Sequence, residues 1–94
     1  MSVKIDYTTS TSAQEAYDKV KSAITPEYAQ KFQVKADVVY DDENKIIKST
    51  GPGFTLTLSF HGNHCNANLD LSIILRALKS KIMAKVEEQV RKNI

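Results

Sequence analysis

The start of the chain alternates apolar and polar residues and then changes to a helical period. Val3, Ile5 and Tyr7 are separated by polar residues, and this period of two is typical of a half-buried strand. Ser12 and Glu15 then form a capping-box pattern, in which each side chain can accept a backbone N–H at the start of a helix. The apolar residues that follow at helical spacing are Ala13, Ala16, Tyr17, Val20 and Ile24. This segment predicts a strand followed by a helix.

Pro26 interrupts this helix. Proline is favoured in the first turn of a helix, and Thr25 in front of it can cap a new one. Tyr28 and Phe32 would then face the interior. We therefore predict a first helical region that is bent or split at Pro26.

Two strands are predicted next. Apolar residues alternate at Val34, Ala36, Val38 and Tyr40, and the acidic turn 41–44 follows them. Ile46 and Ile47 predict a short third strand. Residues 51–53, Gly-Pro-Gly, stop that strand because neither residue type continues a ladder well.

Residues 54–71 predict a β-hairpin with a defined register. Apolar residues occupy alternate positions on both sides of a polar turn: Phe54, Leu56, Leu58 and Phe60 before it, and Cys65, Ala67, Leu69 and Leu71 after it. A two-residue turn at Gly62 and Asn63 pairs His61 with His64. The same register places Phe60 opposite Cys65, so every one of these apolar side chains points to one face. A slip by one residue would separate them, so the pattern specifies the register.

The rest of the chain predicts one long helix that begins after Ser72. Its apolar stripe is Leu75, Leu78, Ile82, Val86 and Val90, with Met83 at the edge. The element order is therefore strand, bent helix, four antiparallel strands and long helix. An antiparallel sheet with one apolar face needs a cover, and the two amphipathic helices can supply it. We predict an α+β fold, a two-layer sandwich of the helix-grip type.

Composition and length are those of one ordinary globular domain. The chain has 94 residues, of which 41% are hydrophobic and 26% charged, so we expect a single domain over 1–94. Cys65 is the only cysteine, which excludes an internal disulfide and leaves self-association as the remaining way to reinforce a thin core. No apolar run reaches the roughly 20 residues of a membrane span. The N-terminal residues lack a signal-peptide pattern, so we expect a cytoplasmic protein.

The positive charge is concentrated in the last part of the sequence. Residues 72–94 carry six Lys or Arg against two Glu, whereas the whole chain has a net charge of only +2. The basic character therefore belongs to the C-terminal helix, where it bears on any acidic partner.

Candidate chemistry is sparse. His61, His64 and Cys65 are potential metal ligands, but the hairpin register turns Cys65 into the core and leaves the histidines at the exposed tip. A buried thiol without a neighbouring cation is also a poor nucleophile. We interpret the acidic turn 41–44 as a solvated loop tip, since paired acid–base carboxylates need partial burial. The sequence therefore predicts no catalytic residue, no metal and no cofactor.

Other binding motifs are weak as well. Residues 51–53 lack the length and the Lys-Ser/Thr ending of a phosphate-binding loop. The aromatic residues fall on predicted core faces, so nucleic-acid binding is a minor option and we expect no nucleic-acid partner.

Two surfaces remain as candidates. The outer face of the hairpin carries a nearly uncharged row, Thr55, Thr57, Ser59, Asn66 and Asn68, with Asp70 at its end. That row can pack against another sheet in a dimer, or it can be a plain polar surface of β-formers. The second surface is the basic helix, whose Lys79 falls within the apolar stripe by helical spacing. Lys79 can extend past the core edge into solvent, or it can mark a part of the stripe left open for a partner.

Short segments over most of the chain resemble the polyhydroxyalkanoic acid system family of small bacterial proteins. They are Ser12-x-x-Glu15-Ala16, residues 47–51 (IKSTG), residues 53–58 (GFTLTL), residues 69–71 (LDL) and Leu75-x-x-Leu78-Lys79-Ser80-Lys81-Ile82. The resemblance implies a non-enzymatic protein that is associated with storage granules of the polyester polyhydroxyalkanoate. It supplies no catalytic residues. The matching helix segment implies a contact surface made of Leu78, Lys79, Lys81 and Ile82, to which we add Lys85 from the same basic helix.

Three functional hypotheses follow from the sequence. The first is an accessory protein that associates with a granule or protein surface through its basic C-terminal helix. The second is a carrier of a small hydrophobic, lipid-like ligand, held between the sheet and the long helix in a cavity bounded by Leu58, Leu69, Ile82 and Val86. The third is a structural homodimer that uses the polar sheet face.

Overall fold

The computed structural model describes residues 2–25, 27, 36–72 and 79–94. Over these ranges the chain forms a five-stranded antiparallel sheet and two helices. The strands are β1 Ser2–Asp6, β2 Asp37–Asp41, β3 Ile46–Gly51, β4 Phe54–Phe60 and β5 His64–Leu71. The helices are α1 Ala13–Ala23 and α2 Lys79–Asn93. The α+β class and the predicted order of these elements are confirmed.

Several predictions fall outside the described residues. They are the bend at Pro26, the inward orientation of Tyr28 and Phe32, the start of the second strand at Val34, and the helical positions Leu75 and Leu78.

The hairpin register is confirmed pair by pair. Phe60 lies opposite Cys65, Leu58 opposite Ala67, and the pairing continues to the far end of both strands. His61 and His64 close the turn, with the His61 N–H donating to the His64 carbonyl oxygen at 2.8 Å. The third strand, β3, is longer than predicted and extends to Gly51. Every residue of β3 pairs with a residue of β4, which supports the additional length.

The strand order is β1-β5-β4-β3-β2, which places β4 at the centre of the sheet. Directly opposite residues point to the same face, so the register sorts the side chains into two faces. One face holds the buried apolar rows, such as Ile5, Cys65 and Phe60, or Ala67, Leu58 and Ile47. Both helices supply buried side chains to this same core cluster. The described part of the protein is therefore a two-layer sandwich with its helices on one side.

Helix α1 begins at a cap that half matches the capping box. The Ser12 hydroxyl oxygen accepts the Glu15 N–H at 3.1 Å, as predicted. The Glu15 carboxylate is engaged differently: it accepts from the Thr11 hydroxyl at 3.1 Å and pairs with Lys19 at 3.0 Å. The helix ends at Ala23, and the Ile24 N–H closes its last turn on the Val20 carbonyl oxygen. Its buried residues, Ala16, Tyr17 and Val20, belong to the predicted stripe.

Helix α2 packs with a slightly different phase from the predicted one. Met83, expected at the stripe's edge, is buried together with Val86 and Val90, whereas Ile82 is only half-buried. On a helical wheel Met83, Val86 and Val90 lie within about 60° of one another, and Ile82 lies to one side of them. Helix α2 contacts α1 as well as the sheet, and Met83 belongs to the core cluster.

Ile94 fastens the end of α2 to the segment between β1 and α1. Its side chain is completely buried. Its carbonyl oxygen accepts three backbone N–H groups, from Thr8 and Thr9 at 2.7 Å and from Ser10 at 3.0 Å. The last helix is thus tied to the first connection by both packing and hydrogen bonds.

Candidate binding surfaces

Helix α2 separates an apolar side from a basic side. Its buried residues, Met83, Val86 and Val90, point to the core. Exposed residues occupy the opposite side, and the basic face is defined here as Lys81, Lys85 and Lys92 together with Glu88. These positions are three or four residues apart, or multiples of that spacing, so they form one row along the helix.

The predicted contact residues on this helix are distributed between surface and core. Lys81 and Lys85 are exposed, as a contact surface requires. Ile82 is half-buried and packs against the core cluster. Leu78 lies outside the described residues, and Lys79 is the first residue of α2, with its side chain outside them. The accessible part of the predicted contact is therefore the pair of lysines.

Charge on the basic face is positive despite two glutamates in the helix. The Arg91 guanidinium and the Glu87 carboxylate are 2.9 Å apart, four residues along the helix, and so neutralise each other. An exposed pair of this kind contributes at most about 1 kcal/mol to stability. The row itself contains three lysines and one glutamate, Glu88, so its formal charge is positive and this face attracts acidic groups.

The sheet has a second face, away from the helices, which we call the open face. On β4 and β5 it consists of the predicted row, in which Thr55, Thr57, Ser59 and Asn66 are half-buried and Asn68 is exposed. The other outward residues are Ser2, Lys4 and Asp6 on β1, Asp37, Val39 and Asp41 on β2, Ile46, Lys48 and Thr50 on β3, and His64 and Asp70 on β5. Among the described residues, Val39 is the large apolar side chain that is exposed to solvent, with an exposed fraction of 63%. The open face thus has an uncharged centre and charged flanking strands.

The two histidines stack at one end of the open face. Their ring centroids are 4.7 Å apart with an interplanar angle of 23°. His64 Nδ1 lies 2.7 Å from Asn63 Oδ1, and His61 Nε2 lies 3.2 Å from Asn66 Nδ2. Their predicted position at the hairpin tip is confirmed. Within the described ranges, no group of three or more His, Cys, Asp or Glu side chains is arranged to hold a metal.

Cys65 is fully buried opposite Phe60, as the register predicts. Burial raises the pKa of its thiol to about 12, because the surrounding apolar side chains do not solvate a thiolate. At pH 8 such a thiol is ionised in about one molecule in ten thousand. The site is therefore unsuited to nucleophilic chemistry.

We expect Cys65 to resist iodoacetamide in the folded protein at pH 8 and to react fully once the chain is unfolded in urea. The reason is that both the raised pKa and the lack of access are properties of the fold. Mass spectrometry of the intact chain measures the label directly, because this is the only cysteine. Rapid native-state labelling with an unchanged circular dichroism spectrum would contradict the burial.

The acidic turn is more than the solvated tip that the sequence predicts. Asp42 is exposed, yet its carboxylate accepts from the Tyr17 hydroxyl at 2.7 Å and contacts Lys21 Nζ at 2.8 Å. Lys21 Nζ also lies 5.3 Å from the ring centre of Tyr40. Burial and the bond to Asp42 raise the pKa of Tyr17, while the bond from Lys21 lowers the pKa of Asp42. The turn therefore fastens α1 to the β2–β3 hairpin.

Of the residues predicted to bound a ligand cavity, Leu58, Leu69 and Val86 belong to one core cluster, and Ile82 packs against it. The first two are buried on the sheet and the other two lie on α2. The carrier hypothesis stays a prediction.

None of the described helices combines the length and the apolar character that a bilayer crossing requires. Comparisons of the chain with protein-family models, curated proteins and solved structures find no match.

Proposed function

We propose that this protein is a non-enzymatic binding protein that associates with a granule surface, or with proteins on it, through the basic face of α2. The observation that carries the proposal is the division of α2: its apolar residues pack into the core, and Lys81, Lys85 and Lys92 point away from it. Its link to polyhydroxyalkanoate granules comes from the sequence resemblance. The finer assignment of the fold to the helix-grip type is part of the same proposal. The proposal assigns no catalytic residue and no cofactor.

Electrostatic attraction suits the exposed side of this helix. Lysine side chains are long, hydrated point charges that reach acidic groups without being fully desolvated. Association of this kind weakens as salt rises, since the screening length falls to about 8 Å at physiological ionic strength. The interaction is therefore reversible and depends on the sum of several charges.

Reversing two of these charges is expected to weaken granule association without unfolding the domain. The double variant Lys81→Glu, Lys85→Glu should co-sediment with purified polyhydroxyalkanoate granules at least about tenfold more weakly, which corresponds to about 1.4 kcal/mol. Both side chains are exposed, so the circular dichroism spectrum and melting temperature should stay close to those of the wild type.

The matched control is Lys81→Arg, Lys85→Arg, which keeps the charge and should keep the binding. Equal co-sedimentation of the Glu and Arg variants would refute the role of the basic face. Loss of binding in both variants would indicate recognition by shape at these positions rather than by charge, and would refute it as well.

A second candidate function, assembly as a homodimer, is favoured by the open face. Exposed sheet faces usually carry Lys and Glu, whereas the central strand here presents Thr55, Thr57 and Ser59. Small uncharged β-formers pack face to face without burying a charge. We propose that the open face mediates self-association, which leaves the basic face on the other layer accessible.

A further inference from the structure

The open face has a symmetry that restricts how two copies can meet. Five strands in the order β1-β5-β4-β3-β2 place β4 in the middle, with two strands on either side. A closed homodimer with a two-fold axis uses the same surface twice, so each residue on the axis meets its own copy. A charged residue on the axis would repel itself. The outward residues of β4 are Thr55, Thr57 and Ser59, so the central strand carries no charge.

An axis parallel to β4 brings unlike strands together on either side. It places β4 on β4 of the second copy, β5 on β3, and β1 on β2. Outward Lys48 on β3 then faces the partner strand that carries Asp70, and the symmetry repeats this pairing. Within one copy Lys48 lies directly opposite Thr57, and Asp70 lies directly opposite Thr55. Lys48 and Asp70 of the second copy are therefore offset by two residues, or about 7 Å, along the strand direction. Packed sheets cross at about 30°, and a lysine side chain spans the remaining offset.

The outermost strands carry charges of both signs. The edge strand β1 carries outward Lys4 and Asp6, whose charged groups lie 3.8 Å apart, and the opposite edge, β2, carries outward Asp37 and Asp41. Lys4 lies in the same cross-sheet row as Asp41, which the register traces through Asn66, Ser59 and Ile46. The parallel axis therefore brings a basic position of one copy over an acidic edge of the other.

An axis perpendicular to the strands gives the opposite result. It places β2 on β2 and β3 on β3 of the second copy. Asp37 and Asp41 of one copy then face Asp37 and Asp41 of the second copy, and Lys48 approaches Lys48 of the second copy. Like charges brought together in an interface disfavour that arrangement.

We propose that two copies of this chain pack open face to open face, with β4 on a two-fold axis parallel to its strand direction and with Lys48 paired to Asp70 of the second copy. This arrangement rests on the self-association proposed above and adds its geometry. It yields a four-layer dimer in which the helices, and with them both basic faces, are outermost.

Sedimentation equilibrium of five proteins tests the geometry. The wild type should have the mass of two chains. Thr57→Lys places two lysines on the axis and should give a folded monomer, whereas Ser80→Lys, with the same change in charge on exposed α2, should remain a dimer. Lys48→Glu should raise the dimer dissociation constant at least about tenfold, since it replaces two attractive pairs by two repulsive ones. Adding Asp70→Lys to Lys48→Glu should return the constant to within about threefold of the wild type.

The outcomes separate the geometry from the self-association itself. A monomeric wild type refutes both. A wild-type dimer that Thr57→Lys leaves intact refutes the open face as the interface. A dimer that Thr57→Lys disrupts but Lys48→Glu with Asp70→Lys does not restore refutes the parallel axis alone. If Thr57→Lys fails to fold, the comparison of Lys48→Glu with Lys48→Glu, Asp70→Lys still tests the axis. A second substitution that restores dimerisation cannot act through general destabilisation.

Discussion

Replacing Leu58 by alanine is expected to lower the free energy of unfolding by about 3–5 kcal/mol, the upper part of the range for buried leucines. Leu58 is fully buried on the central strand β4, between Ala67 on one side and Ile47 on the other. Neither neighbour can move into the space, because both are fixed in the ladder. Much of the cavity therefore persists, and a domain of this size has only about 5–15 kcal/mol of stability in total.

Urea unfolding followed by circular dichroism measures this loss at a fixed protein concentration, since any dimer makes stability depend on concentration. Val39→Ala is the matched control: it also shortens an apolar strand residue, but Val39 is 63% exposed in the single chain, so both variants are compared at a protein concentration low enough to keep the chain monomeric. Its cost should stay below about 1 kcal/mol. Equal losses in the two variants would mean that the faces of the sheet are assigned incorrectly.

Replacing Ile94 by alanine is expected to cost about 2–4 kcal/mol, although the residue lies beyond the end of α2. Its side chain is completely buried, and the backbone at this position is what Thr8, Thr9 and Ser10 bond to. Removing the side chain leaves those three hydrogen bonds without the packing that fixes their acceptor. We therefore expect faster amide exchange at Thr8, Thr9 and Ser10 as well as lower stability.

Lys92→Ala provides the comparison for Ile94→Ala, because Lys92 is exposed in the last turn of the same helix. Its effect should be within about 0.5 kcal/mol. Hydrogen exchange monitored by NMR distinguishes the two residues at the level of single amides. Unchanged protection of Thr9 in Ile94→Ala would show that the segment is held by something other than this anchor.

The hairpin could be predicted in full from the sequence because its information is local. A two-residue turn and strict alternation on both sides leave one register that puts Leu58 and Ala67 on the same face. The class of fold followed from the same kind of reasoning, since amphipathic elements must bury their apolar sides together. These steps needed no information on distant parts of the chain.

Features that depend on distant residues could not be predicted in this way. The pairing of β1 with β5 joins the first and the last strand of the sheet in sequence order. The alternation at Val3 and Ile5 predicts a strand, but it does not indicate which strand is its partner. The hydrogen bond between the Tyr17 hydroxyl and the Asp42 carboxylate joins a residue predicted to lie in the core to a residue predicted to lie in a solvated turn. The burial of Met83 depends on how α2 is placed on the rest of the fold, and its position at the edge of the apolar stripe does not specify that placement.

The candidate surfaces were predictable in composition but not in arrangement. Lysines at helical spacing identify the basic face, and alternation identifies the polar row of the hairpin. The strand order was needed to show that the uncharged strand is central, with Lys48 and Asp70 on opposite sides of it.

The pairing of β1 with β5 also determines when this protein can complete its fold during synthesis. Strand β1 leaves the ribosome first, but the residues opposite Ile5 and Val3 are Cys65 and Ala67, which are made much later. Ile94, the acceptor for the segment after β1, is translated later still. Strand β1 therefore stays unpaired until β5 has been made. Because non-local contacts form only after long loops close, we expect the domain to fold as one unit once the residues up to Ile94 have left the ribosome.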